Sequence, residues 1–130
     1  MRLPAILLVP ALLFLAGCGD GDDNASSSGP PVELRPGQRL TLRGEEYSFI
    51  PSNVVARPGT ELEVRLENRG SLAHNVKLLR DGEQVGGTPS LPSGRAGSAT
   101  ISVSPGTYEL VCTVGDHAEL GMKGALRVKE

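Results

Sequence analysis

The sequence has little aromatic character and no concentration of positive charge. Its 130 residues include no tryptophan, only 3% aromatic residues, and a formal net charge of −2. No run of lysine and arginine is present. Contacts with phosphate supply most of the affinity of nucleic-acid-binding proteins, and they require a basic surface. We therefore expect no nucleic-acid partner.

Convincing helical periodicity is also missing, whereas glycine and proline are abundant, with 17 and 10 residues. The chain instead shows short alternating runs between turn signals. In residues 61–67, for example, Leu62, Val64 and Leu66 would face the core and the intervening charged residues would face solvent. Seven or eight such strands predict an all-β fold, an antiparallel Greek-key sandwich or barrel.

The remaining predicted strands are separated by turns and by one long segment. They cover residues 40–42, 47–55 with a break at Pro51, 73–79, 100–103, 107–113 and 125–129. The polar segment 82–98, with five glycines and two prolines, is predicted to be a loop. On the strand 107–113, Cys112 shares the core-facing side with Tyr108 and Leu110.

The N-terminus has the pattern of an export signal. Arg2 precedes an apolar run over residues 3–15, which is shorter than the about 20 residues of a membrane span. The run ends in Leu15-Ala16-Gly17-Cys18, which resembles the bacterial lipobox. That resemblance implies cleavage before Cys18 and attachment of lipid to its thiol; an ordinary signal peptide that contains a cysteine is the alternative.

These features divide the chain into three parts. Residues 1–17 are the expected signal peptide, residues 18–31 a flexible tether, and residues 32–130 the folded domain. The tether is built from glycine, serine, aspartate and proline, which cannot bury enough apolar surface to fold. We therefore expect an exported, lipid-anchored monomer at a bacterial membrane, on its periplasmic or other extracytoplasmic face.

Metal-ligating side chains are scarce, and they lie in few places. Cys112, His117 and Met122 fall within eleven residues, and His74 is the only other histidine. If Cys18 carries lipid, Cys112 has no disulfide partner in an oxidising compartment. These four side chains could form one site of two imidazoles, a thiolate and a thioether, which suits copper cycling between Cu(I) and Cu(II).

The sequence from about residue 46 to residue 128 resembles the cupredoxins, the blue-copper family of plastocyanin, azurin, auracyanin and rusticyanin. The spacing Cys-x₄-His-x₄-Met is similar to that of the auracyanin and rusticyanin loop. The other similar segments are residues 47–51, 57–60, 73–76, 105–108 and 122–124. The resemblance implies one type 1 copper, with His74, Cys112, His117 and Met122 as its ligands.

The family also implies roles for neighbouring residues. Asn75 and Thr113 stand where the family has two residues that bond to each other and tie the ligand loop to a strand. His117 would present its edge at the surface, where redox partners dock and electrons leave. The chain departs from the family at Gly115-Asp116, where many members have proline before this histidine. The stiffness of the loop, the reduction potential and the charge of the docking face therefore do not follow from the resemblance.

The resemblance favours a membrane-anchored carrier of single electrons, and not an enzyme, because four protein ligands leave copper no open position. Two alternatives remain at this stage. One is a copper-trafficking or copper-sequestering lipoprotein with the same ligands, and the other is a metal-free structural or binding module.

Overall fold

The computed structural model describes residues 29–130 and forms them into ten strands without a helix. The strands are β1 Val32–Glu33, β2 Leu40–Glu45, β3 Ser48–Ile50, β4 Asn53–Ala56, β5 Glu61–Asn68, β6 Lys77–Arg80, β7 Glu83–Gly87, β8 Ala96–Ser102, β9 Gly106–Val111 and β10 Lys123–Val128. The predicted signal peptide, Cys18 and residues 18–28 of the predicted tether lie outside the described residues. Within residues 29–130, no helix has the length and apolar character needed to cross a membrane.

The strands form two sheets, and the all-β prediction is confirmed. One sheet has the order β1-β4-β10-β9-β6-β7 and the other the order β3-β2-β5-β8. The described residues contain ten strands where the sequence pattern predicted seven or eight. Both sheets are mixed, since β1 pairs with β4, β10 with β4 and β2 with β5 in parallel. Parallel partners are far apart in sequence, so local turn signals could not predict them.

The core lies between the two sheets and follows the alternation predicted for β5. Leu62, Val64 and Leu66 are at most 1% exposed, while Glu61 and Glu63 are exposed. The β2 side chains Leu40 and Leu42 are fully buried on the same side of this sheet. The facing sheet contributes buried apolar side chains at Val54, Leu78, Tyr108, Leu110, Leu126 and Val128, and Val76, just before β6, is buried with them.

The prediction of a continuous loop over residues 82–98 was wrong at both ends. Residues 83–87 form β7, which pairs with β6, and residues 96–98 begin β8. The glycines that suggested a loop allow close packing instead. A Cβ on Gly86 would lie 3.0 Å from Cγ1 of Ile101, and a Cβ on Gly87 would meet the main chain of Val76. Because glycine carries no side chain, such a strand leaves no alternation in the sequence.

Two other predicted strands are interrupted in the structure. The predicted strand 47–55 is divided between sheets, since β3 belongs to the four-stranded sheet and β4 to the six-stranded sheet. The predicted strand 73–79 begins only at Lys77, and His74 forms an isolated bridge with Leu91. His74 is therefore held by a loop next to the sheet.

The register of the six-stranded sheet brings three strand ends to one place. Val111, the last residue of β9, pairs with Lys77 at the start of β6 and with Lys123 at the start of β10. Residues just beyond these ends therefore lie at the same edge. They include Cys112 after β9, Met122 before β10 and His74 before β6.

Candidate metal centre

The segment between β9 and β10 is closed by hydrogen bonds of its own backbone. The N–H of Cys112 donates to the carbonyl of Met122 at 3.1 Å, and the N–H of Met122 donates to the carbonyl of His117 at 3.0 Å. The N–H of His117 donates to Val114 at 3.1 Å. The main chain therefore holds Cys112, His117 and Met122 close together.

Three of the predicted ligands meet through their donor atoms. Nδ1 of His74 lies 3.2 Å from Nδ1 of His117, and Sγ of Cys112 lies 3.6 Å from that same Nδ1. One ligand atom from each residue lies within 4.8 Å of the others. His74 and Cys112 are fully buried, and His117 is 8% exposed. The structure thus brings together residues that are 43 positions apart in the chain.

This cluster fits a single metal ion. Nitrogen and sulfur ligands bind a first-row ion at about 2.0–2.3 Å, so donors that share one ion lie roughly 3–4 Å apart. The distances of 3.2 and 3.6 Å fall in that range. A cysteine thiolate with two imidazoles is the donor set of blue-copper sites.

Met122 lies beside the cluster and is fully buried. Its Cε methyl packs close to Gly44 of β2, where an added Cβ would lie 3.3 Å from it. The Met122 side chain is therefore part of the core, next to Gly44 of the four-stranded sheet. Its assignment as the fourth ligand stays a prediction.

Asn75 and Thr113, which follow His74 and Cys112, form two hydrogen bonds with each other. The Asn75 amide donates to Oγ1 of Thr113 at 2.9 Å, and the Thr113 N–H donates to Oδ1 of Asn75 at 2.8 Å. The pair ties the segment that carries His74 to the segment that carries Cys112.

Glu46 also contacts this cluster, a role that no sequence pattern predicted. It lies in the turn between β2 and β3, and its Oε1 is 3.0 Å from Nε2 of His74. The same oxygen accepts the N–H groups of Ser71 and Leu72 at 2.8 and 2.7 Å. No sequence signal marks this contact, since Glu46 and His74 are 28 positions apart.

These contacts favour the ionised form of the Glu46 carboxyl. The backbone N–H of Leu72 has the largest effect and lowers its pKa. Burial opposes this effect, and hydrogen bonds from His74 and Ser71 add to it, so the pKa lies below its ordinary value. The site therefore contains a carboxylate in contact with a candidate ligand.

His117 is covered on one side by Tyr47. The two ring centroids are 5.0 Å apart and the rings are inclined by 58°. The family implies an exposed edge for this histidine, and here only 8% of it is accessible. Leu120 on the same loop is 52% exposed, and Asp116 and Glu119 are exposed too.

Solved structures with a similar fold include two auracyanins and a rusticyanin. Auracyanin from Roseiflexus castenholzii has 19% identity and a TM-score of 0.66, over 74% of this chain and 100% of that one. Auracyanin A, a blue copper protein from Chloroflexus aurantiacus, has 22% identity and a TM-score of 0.62, over 77% and 100%. Reduced rusticyanin has 19% identity and a TM-score of 0.63, over 82% and 89%.

Sequence comparison gives the family directly. No curated protein sequence matches the chain significantly. The family described as "Copper binding proteins, plastocyanin/azurin family" matches residues 38–129. Both the predicted copper cofactor and the predicted family are confirmed. With His74, Cys112 and His117 clustered as in a type 1 copper site, the chain belongs to the plastocyanin/azurin family of copper-binding proteins.

Proposed function

We propose that the protein carries single electrons between redox partners, with one copper held by His74, Cys112, His117 and Met122. The observation that carries this proposal is the buried cluster of two Nδ1 atoms and one Sγ atom within 4.8 Å of one another. Copper bound by these donors supplies a one-electron couple between Cu(I) and Cu(II).

The protein's own contribution is to hold the donors still and to keep water away. The Asn75–Thr113 pair and the backbone bonds of residues 112–122 fix the donor atoms before any electron arrives. Every buried side-chain nitrogen or oxygen within the described residues has a hydrogen-bond partner. A site that is fixed in this way needs little rearrangement when its charge changes.

The same burial supports a carrier over an enzyme. Four protein ligands leave no position for a substrate, and His74, Cys112 and Met122 are fully buried. Metalloenzymes that act as Lewis acids keep an open coordination position instead. We therefore propose that the protein has no catalytic activity of its own.

Burial also favours electron transfer over copper delivery. To hand over a metal ion, a ligand of the accepting protein must replace a ligand of this protein. This exchange is easiest at an exposed side chain. Here the most accessible of the three clustered donor residues is only 8% exposed. An electron needs no such access, because it can leave through the edge of His117.

Partners are proposed to dock around the loop of His117. Leu120 offers an exposed apolar surface, and Asp116 and Glu119 offer negative charge. Such a face suits a small, short-lived contact with a basic redox protein. The proposed lipid on Cys18 would keep the domain at the exported face of a bacterial membrane, within reach of such partners.

A spectrum and a competition experiment together test this function. The copper-loaded protein is expected to absorb intensely in the visible range, to lose the colour on reduction and to regain it on oxidation. Its copper should stay bound when a Cu(I) chelator is added to the reduced form. Rapid loss of copper to the chelator would favour trafficking, and a colourless copper complex would contradict the proposed site.

A further inference from the structure

One oxygen of the Glu46 carboxylate makes three hydrogen-bond contacts. This oxygen, Oε1, faces Nε2 of His74 and also accepts the backbone N–H groups of Ser71 and Leu72. Because this oxygen already accepts two N–H groups, it faces Nε2 as an acceptor, and His74 is the donor in this contact. Nε2 of His74 then carries a proton, and Nδ1, which lies 3.2 Å from Nδ1 of His117, is the ring nitrogen on the side of the metal cluster.

The loop that holds this carboxylate is itself fixed. The buried side chain of Asn68 accepts the N–H of Gly70 at 2.9 Å and donates to the carbonyls of Leu72 and Leu91 at 2.8 and 2.9 Å. These bonds set the course of residues 68–72, so the two N–H groups point at Glu46. The position of the carboxylate therefore depends on a connected network.

Gly70 leaves the space that the carboxylate occupies. A Cβ at this position would lie 2.7 Å from Oε2 and 2.8 Å from Cδ of Glu46. Any larger residue here would push the carboxylate aside, since a side-chain end moves more easily than the loop. The fold accordingly keeps one place for this negative charge, against the far side of the His74 ring.

We propose that Glu46 is a positioning and potential-setting residue of the copper site. It fixes the tautomer and orientation of His74, and its negative charge stabilises oxidised over reduced copper. Histidine ligands that donate their second ring N–H to a carboxylate are held in place and become stronger donors. This inference rests on the proposed function, because it requires His74 to bind copper.

The charge and the hydrogen bond can be separated by two substitutions. Glu46→Gln keeps an oxygen that can accept from Nε2 but removes the charge. Gly70→Ala keeps the charge but displaces the carboxylate. Glu45→Gln is the matched control, because it removes the same charge one residue away, from a side chain that pairs with Arg43 at 3.3 Å.

Redox titration of the full-length, copper-loaded proteins measures the effect of the charge. We expect Glu46→Gln to raise the ratio of Cu(I) to Cu(II) affinity by about tenfold, or about 59 mV for one electron. Gly70→Ala should shift the potential in the same direction, and Glu45→Gln should shift it by less than half as much. A Glu46→Gln protein that is blue and has an unchanged potential overturns the proposal.

Nitrogen and proton NMR of the copper-free protein measures the hydrogen bond. The wild type should give a protected proton on Nε2 of His74, which persists in Glu46→Gln and exchanges rapidly in Gly70→Ala. A proton on Nδ1 in the wild type overturns the tautomer assignment. If Glu46 were purely structural, Glu46→Gln would lower the free energy of unfolding and leave the reduction potential unchanged. That result would also contradict the proposal.

The outcomes distinguish this inference from the function on which it rests. If the wild type binds no blue, reducible copper, the proposed function fails and the role of Glu46 fails with it. If the wild type is blue but Glu46→Gln shifts the reduction potential no more than Glu45→Gln does, the proposed electron carrier stands and the role of Glu46 is overturned.

Discussion

Asn75 and Thr113 are joined by two hydrogen bonds, one between their side chains at 2.9 Å and one from the Thr113 N–H to Oδ1 of Asn75 at 2.8 Å. Each residue directly follows a member of the metal cluster, His74 or Cys112. The pair therefore acts as a cross-link between two segments that are 38 positions apart. Its removal should loosen the cluster without touching a donor atom.

Replacing Asn75 with alanine is expected to destabilise the copper-free protein by about 1–3 kcal/mol, because it removes two part-buried hydrogen bonds, each worth about 0.5–1.5 kcal/mol. Urea denaturation of wild type and variant measures this difference. Thr113→Ala keeps the bond from its own N–H and should cost less than Asn75→Ala.

Asn53→Ala is the matched control for this series. The Asn53 amide makes a single exposed hydrogen bond of 3.3 Å to the carbonyl of Gly29. Exposed substitutions of this kind usually change stability by no more than about 0.5 kcal/mol. An equal loss in Asn53→Ala and Asn75→Ala would contradict the cross-linking role.

Replacing Cys112 with serine should abolish the visible colour of the copper-loaded protein, because the intense absorption requires a thiolate bound to copper. The absorption spectrum, normalised to copper content, tests this expectation. Cys18→Ser removes the chain's only other cysteine and should leave the spectrum unchanged. A Cys112→Ser protein as blue as the wild type would refute the site.

Replacing Asp116 with asparagine should raise the reduction potential, because an anion beside His117 stabilises the more positive, oxidised site. Asp116 is exposed, so water and salt weaken the interaction. We expect a rise on the order of 20–50 mV, at 59 mV per tenfold change in the redox equilibrium. Redox titration at fixed ionic strength gives the value.

Asp81→Asn provides a control for that shift. Asp81 is an exposed carboxylate in the turn after β6, at the end of the strand opposite His74. Its positive φ of 51° is readily adopted by asparagine, so the substitution adds no strain. Equal shifts in Asp81→Asn and Asp116→Asn would show that only the total charge matters.

The acidic residues beside His117 should also make association with a basic redox partner depend on salt. The association rate is expected to fall as ionic strength rises, and less steeply in the double variant Asp116→Asn, Glu119→Gln. Stopped-flow electron transfer to a basic acceptor protein measures the rate. A rate in the wild type that does not change with salt would exclude this surface as an electrostatic docking site.

Replacing Cys18 with serine should release the protein from membranes, because the proposed lipid is attached to the thiol of this cysteine. Fractionation of expressing bacterial cells, with detection of the protein in soluble and membrane fractions, tests this. Cys112→Ser should remain with the membrane. If Cys18→Ser stays there too, the N-terminal segment holds the protein in another way.

The sequence by itself determined those features that depend on neighbours in the chain. The alternation in residues 61–67 specified which side of β5 is buried, because successive side chains in a strand point to opposite faces. The close spacing of Cys112, His117 and Met122 likewise identified the loop that carries the candidate ligands. Copper followed from the chemistry of thiolate, imidazole and thioether donors.

Only the tertiary structure decided the features that depend on how distant segments align. Strand β7 was hidden because its glycines show no alternation, and the parallel pair of β2 and β5 has no turn signal. The contact of Glu46 with His74 depends on that pairing, since β2 ends just before Glu46 and β5 leads into the loop of Ser71 and Leu72. A local pattern can specify which way a side chain points, but the residue it meets depends on the register between strands.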